Sequence, residues 1–212
     1  YLKSYPELKK IEVVEIDPDV VRVAKRFFSV PEDPKLRIIT TDGRTFLQRS
    51  NQKYGAIIMD AYGSGPNGAY LPYHLATVEF FEAAWERLDT GGCLVYNVMG
   101  TFGGSNDDIV RGMVVTLENV FQYVYVFQAA SSWNTVYVAQ KIDYDKLAPN
   151  NTRDGNSWPE GPWMAHPADL PALAAELAQS GVYVHTGLTQ RLTQFSRAHT
   201  ARRTGKLFTD NN

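Results

Sequence analysis

The sequence "EVVEIDPDVVRVAKRFF", residues 12–28, decides the fold. An apolar run stops on two acids, Glu15 and Asp17, and a proline then leads into an amphipathic stretch. This pattern predicts a strand over residues 11–16 that is followed at once by a helix over residues 19–28. A strand that passes directly into a helix is the first half of a parallel β-α-β unit, and ligands bind at the carboxyl ends of such strands.

The alternation of strand and helix continues along the chain. Further strands are predicted in "LRIITTDG", "YGAIIMDAYG" and "CLVYNVMG", and helices over residues 44–49, 74–88 and 108–120. Strands that are separated by helices and have nearly continuous apolar cores predict an α/β fold whose mostly parallel sheet is covered on both faces. The strands "YVYVF" and "TVYVAQ" are joined by a loop too short for a crossover helix, so we expect an antiparallel hairpin at the sheet edge.

The pattern changes after residue 140. We predict a nucleotide-binding catalytic domain over residues 1–140, and an excursion, a helix and a basic tail over residues 141–212 that pack on the same domain. The excursion is rich in Pro, Asn, Asp and Gly, which is typical of long surface segments. The chain starts at Tyr1 within a helix-like pattern and without a methionine, so we expect an additional N-terminal segment of the same protein.

Composition narrows the class of partner. The 212 residues carry a net charge of -2, which gives no basic field for nucleic acid, so we expect a small-molecule partner. The histidines after residue 140 lack the spacing of metal ligands, and we expect no metal site. The single cysteine, Cys93, cannot form an intrachain disulfide, which fits a cytoplasmic location. No apolar run reaches the roughly 18 residues that a membrane-spanning helix needs.

Three successive predicted strands end in an acid: Glu15, Asp42 and Asp60. A carboxylate there can accept both hydroxyls of a ribose, and Glu15 suits this role better than Asp17, which precedes a proline and suits helix capping. Asp42, which is followed by Gly43, could contact an adenine amino group, and Asp60 would face the reacting end of the ligand. The series predicts an adenosine-containing cofactor across the strand ends, with solvated turn residues as the alternative interpretation.

The segments "VEIDPDVVRVAKRFF", "IITTDGRTFL", "YGAIIMDAYG" and "FFEAAWERLDTGGCLVYNV" resemble the spermidine synthase-like branch of the class I S-adenosylmethionine-dependent transferases. The resemblance implies a Rossmann-like class I methyltransferase fold with a seven-stranded sheet and a reversed last strand. It also implies a first strand and a Gly-rich loop that are missing from this chain. The resemblance further implies Glu15 as the ribose ligand and Ile16 as a cofactor-binding residue. Asp42 and Gly43 are then implied at the adenine, and Asp60 at the amino end of the cofactor.

The chemistry implied by this resemblance depends on a loop that reads D-S/T-S/T-D-P, whose second aspartate is assigned the role of base for the attacking amine. Here the loop reads "DAYGSGP", so Asp60 keeps the first acid and Gly63 takes the place of the second. The other catalytic candidates nearby are Tyr62, Tyr73 and His74. The last two also suit the start of a helix, and that interpretation stays open.

Three functions remain open. The first is transfer of an aminopropyl group from decarboxylated S-adenosylmethionine to a polyamine or related small-molecule amine. The second is an S-adenosylmethionine-dependent methyltransferase, since methyl transfer to a good nucleophile can proceed by positioning alone. The third is a catalytically silent binding domain, for which the lost acid and the missing Gly-rich loop argue. A homodimer is open in each case.

Overall fold

The computed structural model describes residues 8–66, 68–121, 123–128, 133–141 and 207–211. The chain divides into two compact units, Tyr1–Asn51 and Gln52–Asn212. The predicted excursion, helix and basic tail fall mostly on residues 142–206, which lie outside the described residues. The domain boundary after residue 140 therefore stays a prediction.

The first unit contains two strands and two helices. In chain order they are β1 (Ile11–Glu15), α1 (Pro18–Phe27), β2 (Leu36–Thr40) and α2 (Gly43–Arg49). β1 and β2 pair in parallel, with Glu15 opposite Thr40, which confirms the predicted parallel unit. Asp17 caps α1, because its Oδ1 accepts a hydrogen bond of 2.7 Å from the Asp19 N–H. The assignment of Asp17 to the helix start is thereby confirmed.

The described residues of the second unit form six strands and two helices. They are β3 (Tyr54–Met59), β4 (Gly63–Gly65), β5 (Gly68–Tyr70), α3 (Val78–Arg87), β6 (Leu88–Met99), α4 (Asp107–Val120), β7 (Tyr123–Gln128) and β8 (Asn134–Gln140). Four of the strands form one sheet in the order β3-β6-β8-β7. β4 and β5 form a short antiparallel hairpin of their own within the Gly-rich and Tyr-rich stretch after β3.

The strand directions match the sequence pattern. β3 is parallel to β6, whereas β8 is antiparallel to both β6 and β7. This confirms the predicted hairpin, which places β7 at the sheet edge, and it confirms the reversed last strand. Among the described residues, β1 and β2 form the sheet of the first unit and four strands form the main sheet of the second. The seven-stranded sheet stays an expectation.

The helix predicted over residues 74–88 is wrong at its start. A 3₁₀ turn, Tyr73–Leu75, comes first, and α3 begins only at Val78. The reason is Thr77, whose hydroxyl accepts a hydrogen bond of 3.3 Å from the Phe80 N–H and so caps a new helix.

The predicted start of β6 at Cys93 is also wrong, since the strand begins at Leu88. Gly91 donates to the Lys141 carbonyl and Lys141 donates to the Gly92 carbonyl, each at 2.9 Å. A Cβ on Gly92 would lie 3.1 Å from the Tyr54 carbonyl oxygen, so this glycine permits a close backbone approach within the sheet.

Helices α3 and α4 cover one face of the four-stranded sheet. The large side chains fully buried there include Phe80, Phe81, Tyr96, Met113, Leu117 and Tyr137. The Phe81 ring meets the Tyr96 ring edge-on at 6.0 Å, and the Tyr137 hydroxyl donates to the Val110 carbonyl at 2.8 Å. On the opposite face Ile58 is 73% exposed. Within the described residues, helices therefore cover one face of this sheet and not both as predicted.

No helix in the described part of the chain combines the length and the apolar character that crossing a membrane requires.

Candidate functional site

Asp60 follows β3 directly, and its side chain is exposed at the end of the four-stranded sheet. Its Oδ1 accepts a hydrogen bond of 2.9 Å from Asn97 Nδ2. The Asn97 Oδ1 accepts one of 3.0 Å from Asn134 Nδ2. Three polar side chains from neighbouring strands β3, β6 and β8 therefore form a single hydrogen-bonded row.

Tyr62 attaches the segment after Asp60 to β6. Its hydroxyl donates to the Asn97 carbonyl at 2.9 Å and accepts from the Met99 N–H at 2.7 Å. If β3 continued past Met59, the Asn97 carbonyl and the Met99 N–H would both bond to the backbone of one of its residues, as in any parallel ladder. The Tyr62 phenol takes the place of that backbone group. The pKa of Tyr62 is raised overall, chiefly by burial. The Met99 hydrogen bond lowers this pKa in part, and the Asp60 carboxylate raises it further.

Gly63 and Tyr70 face each other in the β4–β5 hairpin. A Cβ on Gly63 would lie 2.3 Å from Tyr70 Cζ and 2.6 Å from its hydroxyl oxygen. The Tyr70 ring therefore occupies the space that any side chain at position 63 would need. Tyr70 is 54% exposed, so its ring also presents an aromatic surface beside Gly63, the third residue after Asp60.

Tyr73 and His74 lie in the 3₁₀ turn before α3, and both are exposed, Tyr73 to 61%. Both residues stand at the start of a helical segment, which is the alternative interpretation of the sequence. Both are also exposed enough to contact a ligand. The predicted contact of either side chain with a substrate stays a prediction.

The helix that follows this turn binds the segment 207–211. The Thr77 hydroxyl donates to Asp210 Oδ1 at 2.8 Å, and Glu79 Oε2 accepts from the Asp210 N–H at 3.0 Å. The Phe208 N–H also donates to the hydroxyl of Thr116 in α4 at 3.0 Å. This segment therefore links the start of α3 to α4.

In the first unit, Glu15 is the last residue of β1 and is half-buried. Its Oε1 accepts a hydrogen bond of 2.9 Å from the Asp17 N–H. Ile16 follows with a side chain that is 66% exposed. A carboxylate with one oxygen engaged by the backbone and an adjacent exposed apolar side chain suit contact with a sugar.

Asp42 and Gly43 follow the neighbouring strand of the same unit. Asp42 caps α2, since its Oδ1 accepts from the Thr45 N–H at 2.8 Å, and Gly43 is the first residue of that helix. The Thr41 N–H donates to the Glu15 carbonyl at 3.0 Å, so β1 and β2 end side by side. Within this unit the carboxyl ends of two parallel strands thus bring together two of the predicted cofactor residues.

The Gly-rich loop after β6 is hydrogen-bonded to the first residue of α4, Asp107. Asp107 Oδ2 accepts from Arg111 Nε and its Oδ1 accepts from the Gly103 N–H, each at 2.8 Å. The Arg111 hydrogen bond and then the Gly103 N–H lower the pKa of Asp107. The described residues contain no group of His, Cys, Asp and Glu side chains that could hold a metal ion.

Tyr70 lies in the Gly-rich and Tyr-rich stretch after β3, so the sequence indicates it near Asp60 without assigning it a role. Asn134 is a residue that sequence reasoning missed, because its contact with Asn97 depends on the insertion of β8 between β6 and β7.

Comparison with known proteins places these features in a family. A family model described as spermine/spermidine synthase domain matches residues 2–143. A polyamine aminopropyltransferase of Vibrio vulnificus is 38% identical over 100 residues, which are 46% of this chain and 32% of that protein. One of Saccharolobus solfataricus is 28% identical over 150 residues, which are 66% of this chain and 48% of that protein. The chain thus spans at most about half the length of these relatives.

Solved structures give the fold. The crystal structure of a probable spermidine synthase from Corynebacterium glutamicum has a TM-score of 0.64 at 21% identity and covers 99% of this chain and 66% of its own. Human Methyltransferase-like protein 13 in complex with SAH has a TM-score of 0.59 at 18% identity and covers 92% of this chain and 75% of its own. The predicted α/β fold, the Rossmann-like class I methyltransferase fold, is confirmed. Since the family model spans well over half of the sequence, the chain belongs to the spermine/spermidine synthase domain family.

Proposed function

We propose that the protein transfers an aminopropyl group from decarboxylated S-adenosylmethionine to a polyamine or a related amine. Membership of the family supports this proposal, as do the names of the curated relatives. The observation that carries it is the exposed Asp60 carboxylate, which β3 presents and Asn97 holds by one oxygen. A fixed negative charge at a strand end suits a cationic amine.

Glu15 is the proposed ribose ligand, with Ile16 against the sugar. Its Oε1 already accepts the Asp17 N–H, which orients the carboxylate before a ligand arrives. Asp42 and Gly43 are the proposed contacts of the adenine. Because Asp42 Oδ1 caps α2, that carboxylate is also fixed by the backbone.

Bound decarboxylated S-adenosylmethionine would supply a carbon that is activated by its bond to a sulfonium sulfur. The neutral amine nitrogen attacks that carbon, the new C–N bond forms, and the C–S electron pair stays on sulfur. Asp60 faces the positive charge that develops on the nitrogen and stabilises it. The nitrogen then loses its proton to bulk solvent, directly or through the Asp60 carboxylate.

Tyr62, Tyr73 and His74 are the other proposed residues of the reaction site. Tyr62 acts through the position of the segment that carries Asp60, because both hydrogen-bonding capacities of its hydroxyl are used by β6. Tyr73 and His74 are exposed and are proposed to contact the acceptor amine. A homodimer, a preceding segment and a cytoplasmic location stay predictions from the sequence.

Methyl transfer from S-adenosylmethionine is the second candidate. The observation that favours it is the Tyr70 ring over Gly63, which leaves an uncharged phenol where the family loop has its second aspartate. Methyl transfer to a good nucleophile requires no such base. A silent binding domain is the third.

Calorimetric titration of the intact protein with both nucleotides separates the three candidates. Tighter binding of the decarboxylated nucleotide is expected, because Asp60 attracts an amino end that carries no carboxylate of its own. A preference for S-adenosylmethionine would instead support methyl transfer, and binding of neither nucleotide would support the silent domain.

A further inference from the structure

We infer that Asn97 and Asn134 are positioning residues that fix the orientation of the Asp60 carboxylate. The inference deepens the proposed function and rests on it, since it assigns Asp60 a role toward the amine. It concerns Asn97, which lies within one of the segments that resemble the family, and Asn134, which lies outside all of them.

The strand order brings the three side chains into one row. Met59, the last residue of β3, pairs with Tyr96, so Asp60 comes beside Asn97. On the other side of β6, Met99 pairs with Asn134 in the antiparallel ladder, which puts Asn134 diagonally across from Asn97. Diagonal neighbours on one sheet face are within reach of side-chain hydrogen bonds.

The hydrogen bonds of this row run in one direction. Asn134 Nδ2 donates to Asn97 Oδ1, which leaves the Asn97 amide nitrogen to point toward β3. That nitrogen donates to Asp60 Oδ1. Asn134 therefore selects the amide orientation in which Asn97 offers Asp60 a donor instead of an acceptor.

The consequence for Asp60 is geometric. A neutral amide donor holds one carboxylate oxygen without bringing a positive charge against it. Oδ1 is the oxygen that Asn97 holds, and Asp60 is exposed, which leaves the carboxylate accessible to a ligand. The Asp60 charge also acts on the neighbouring Tyr62 phenol, whose pKa it raises.

Three variants test the inference in the intact protein. Asn97→Leu removes the donor at nearly constant volume, and Asn134→Leu removes the group that orients it. Asn106→Gly is the matched control: Asn106 Nδ2 donates to the Met99 carbonyl rather than to Asp60, and glycine keeps its left-handed backbone at φ 58°.

For Asn97→Leu we expect kcat/KM to fall about 10- to 100-fold, as for the loss of a hydrogen bond to a charged group. The loss should appear in kcat, because a displaced Asp60 carboxylate faces the charge that develops on the amine less well. Asn134→Leu should lower kcat in the same direction by a smaller factor, and Asn106→Gly should leave kcat unchanged. If Asn97→Leu lowers stability but leaves kcat as it is in Asn106→Gly, the row is only structural and the inference is overturned.

A measurement on the unmodified side chains covers the case in which the variants do not fold. In protein labelled with ¹⁵N-asparagine, the Asn97 side-chain amide signals should move in Asp60→Ala, and the Asn106 side-chain signals should stay in place. Asn97 amide signals that are the same with and without the Asp60 carboxylate would overturn the inference. The measurement does not depend on turnover. If the signals respond to Asp60 but the protein transfers no aminopropyl group, only the proposed function is refuted.

Discussion

The ring of Tyr70 lies over Gly63, so that a Cβ at position 63 would come within 2.3 Å of Tyr70 Cζ. The two residues are paired across the β4–β5 hairpin. The glycine at position 63 and the tyrosine at position 70 are therefore one structural feature, in which the phenol fills the space that a side chain at position 63 would need.

Gly63→Ala should displace the Tyr70 ring and cost about 1 kcal/mol of unfolding free energy, because the methyl group overfills this contact. Gly65→Ala in the same hairpin is the control, since its nearest neighbour would be Tyr70 Cε1 at an ordinary 3.7 Å. Urea denaturation measures both, and a Gly63→Ala/Tyr70→Ala double mutant should recover the loss. Equal effects of the two glycine variants would refute this contact.

Tyr62→Phe should lower the unfolding free energy by about 1 to 3 kcal/mol, because the Met99 N–H and the Asn97 carbonyl both lose a half-buried partner. Tyr73→Phe, at a residue that is 61% exposed, is the control and should change it little. Urea denaturation at neutral pH measures the difference. A Tyr62→Phe variant as stable as the control would show that the hydroxyl does not hold the segment.

Tyr62→Phe should also change how the unfolding free energy depends on pH in the alkaline range. The pKa of Tyr62 is raised in the folded protein, chiefly by burial, so its contribution to stability is complete below the usual tyrosine pKa of about 10. That contribution is lost as the pH rises from there through the folded pKa. Unfolding free energies between about pH 8 and 11 should therefore fall less steeply in Tyr62→Phe than in the wild type. Parallel pH curves would contradict the shift.

Tyr96 and Tyr137 pair across β6 and β8 and are both fully buried, yet they differ in hydrogen bonding. The Tyr137 hydroxyl donates to the Val110 carbonyl, whereas the Tyr96 hydroxyl has no partner among the described residues, and burial raises its pKa. Tyr137→Phe should cost about 1 kcal/mol and Tyr96→Phe should gain about as much. Thermal unfolding of the two variants checks this, and a loss in both would mean that the Tyr96 hydroxyl is satisfied.

Glu15→Ala should weaken the binding of either nucleotide by about 1 to 3 kcal/mol, because two ribose hydroxyls lose a charged acceptor. Glu32→Ala removes an exposed acid of the same unit and serves as the control. Calorimetry measures both affinities. If the two variants bind alike, Glu15 does not contact the ribose.

Local sequence signals predicted the elements whose hydrogen bonds are local. Asp17 caps α1 as its place before Pro18 indicated, and the short loop after "YVYVF" predicted the antiparallel pair β7–β8. The start of α3 was missed because a threonine within an apparently continuous helix caps a new one.

Features that depend on partners far along the chain were not readable in this way. The early start of β6 comes from backbone hydrogen bonds between the glycines at 91 and 92 and Lys141. The row from Asp60 to Asn134 comes from the strand order, which no local pattern specifies. Asp60 and Asn97 can be read from their positions at strand ends, but Asn134, which bonds Asn97, cannot.

The transfer reaction itself tests the central claim most directly. The intact protein should be incubated with decarboxylated S-adenosylmethionine and a set of polyamines, and the amine products should be identified by mass spectrometry, with Asp60→Asn as the control. We expect an amine extended by one aminopropyl group and a large loss of that product in Asp60→Asn. A methylated amine formed when S-adenosylmethionine is supplied instead, or equal aminopropyl transfer by Asp60→Asn, would contradict the proposed reaction.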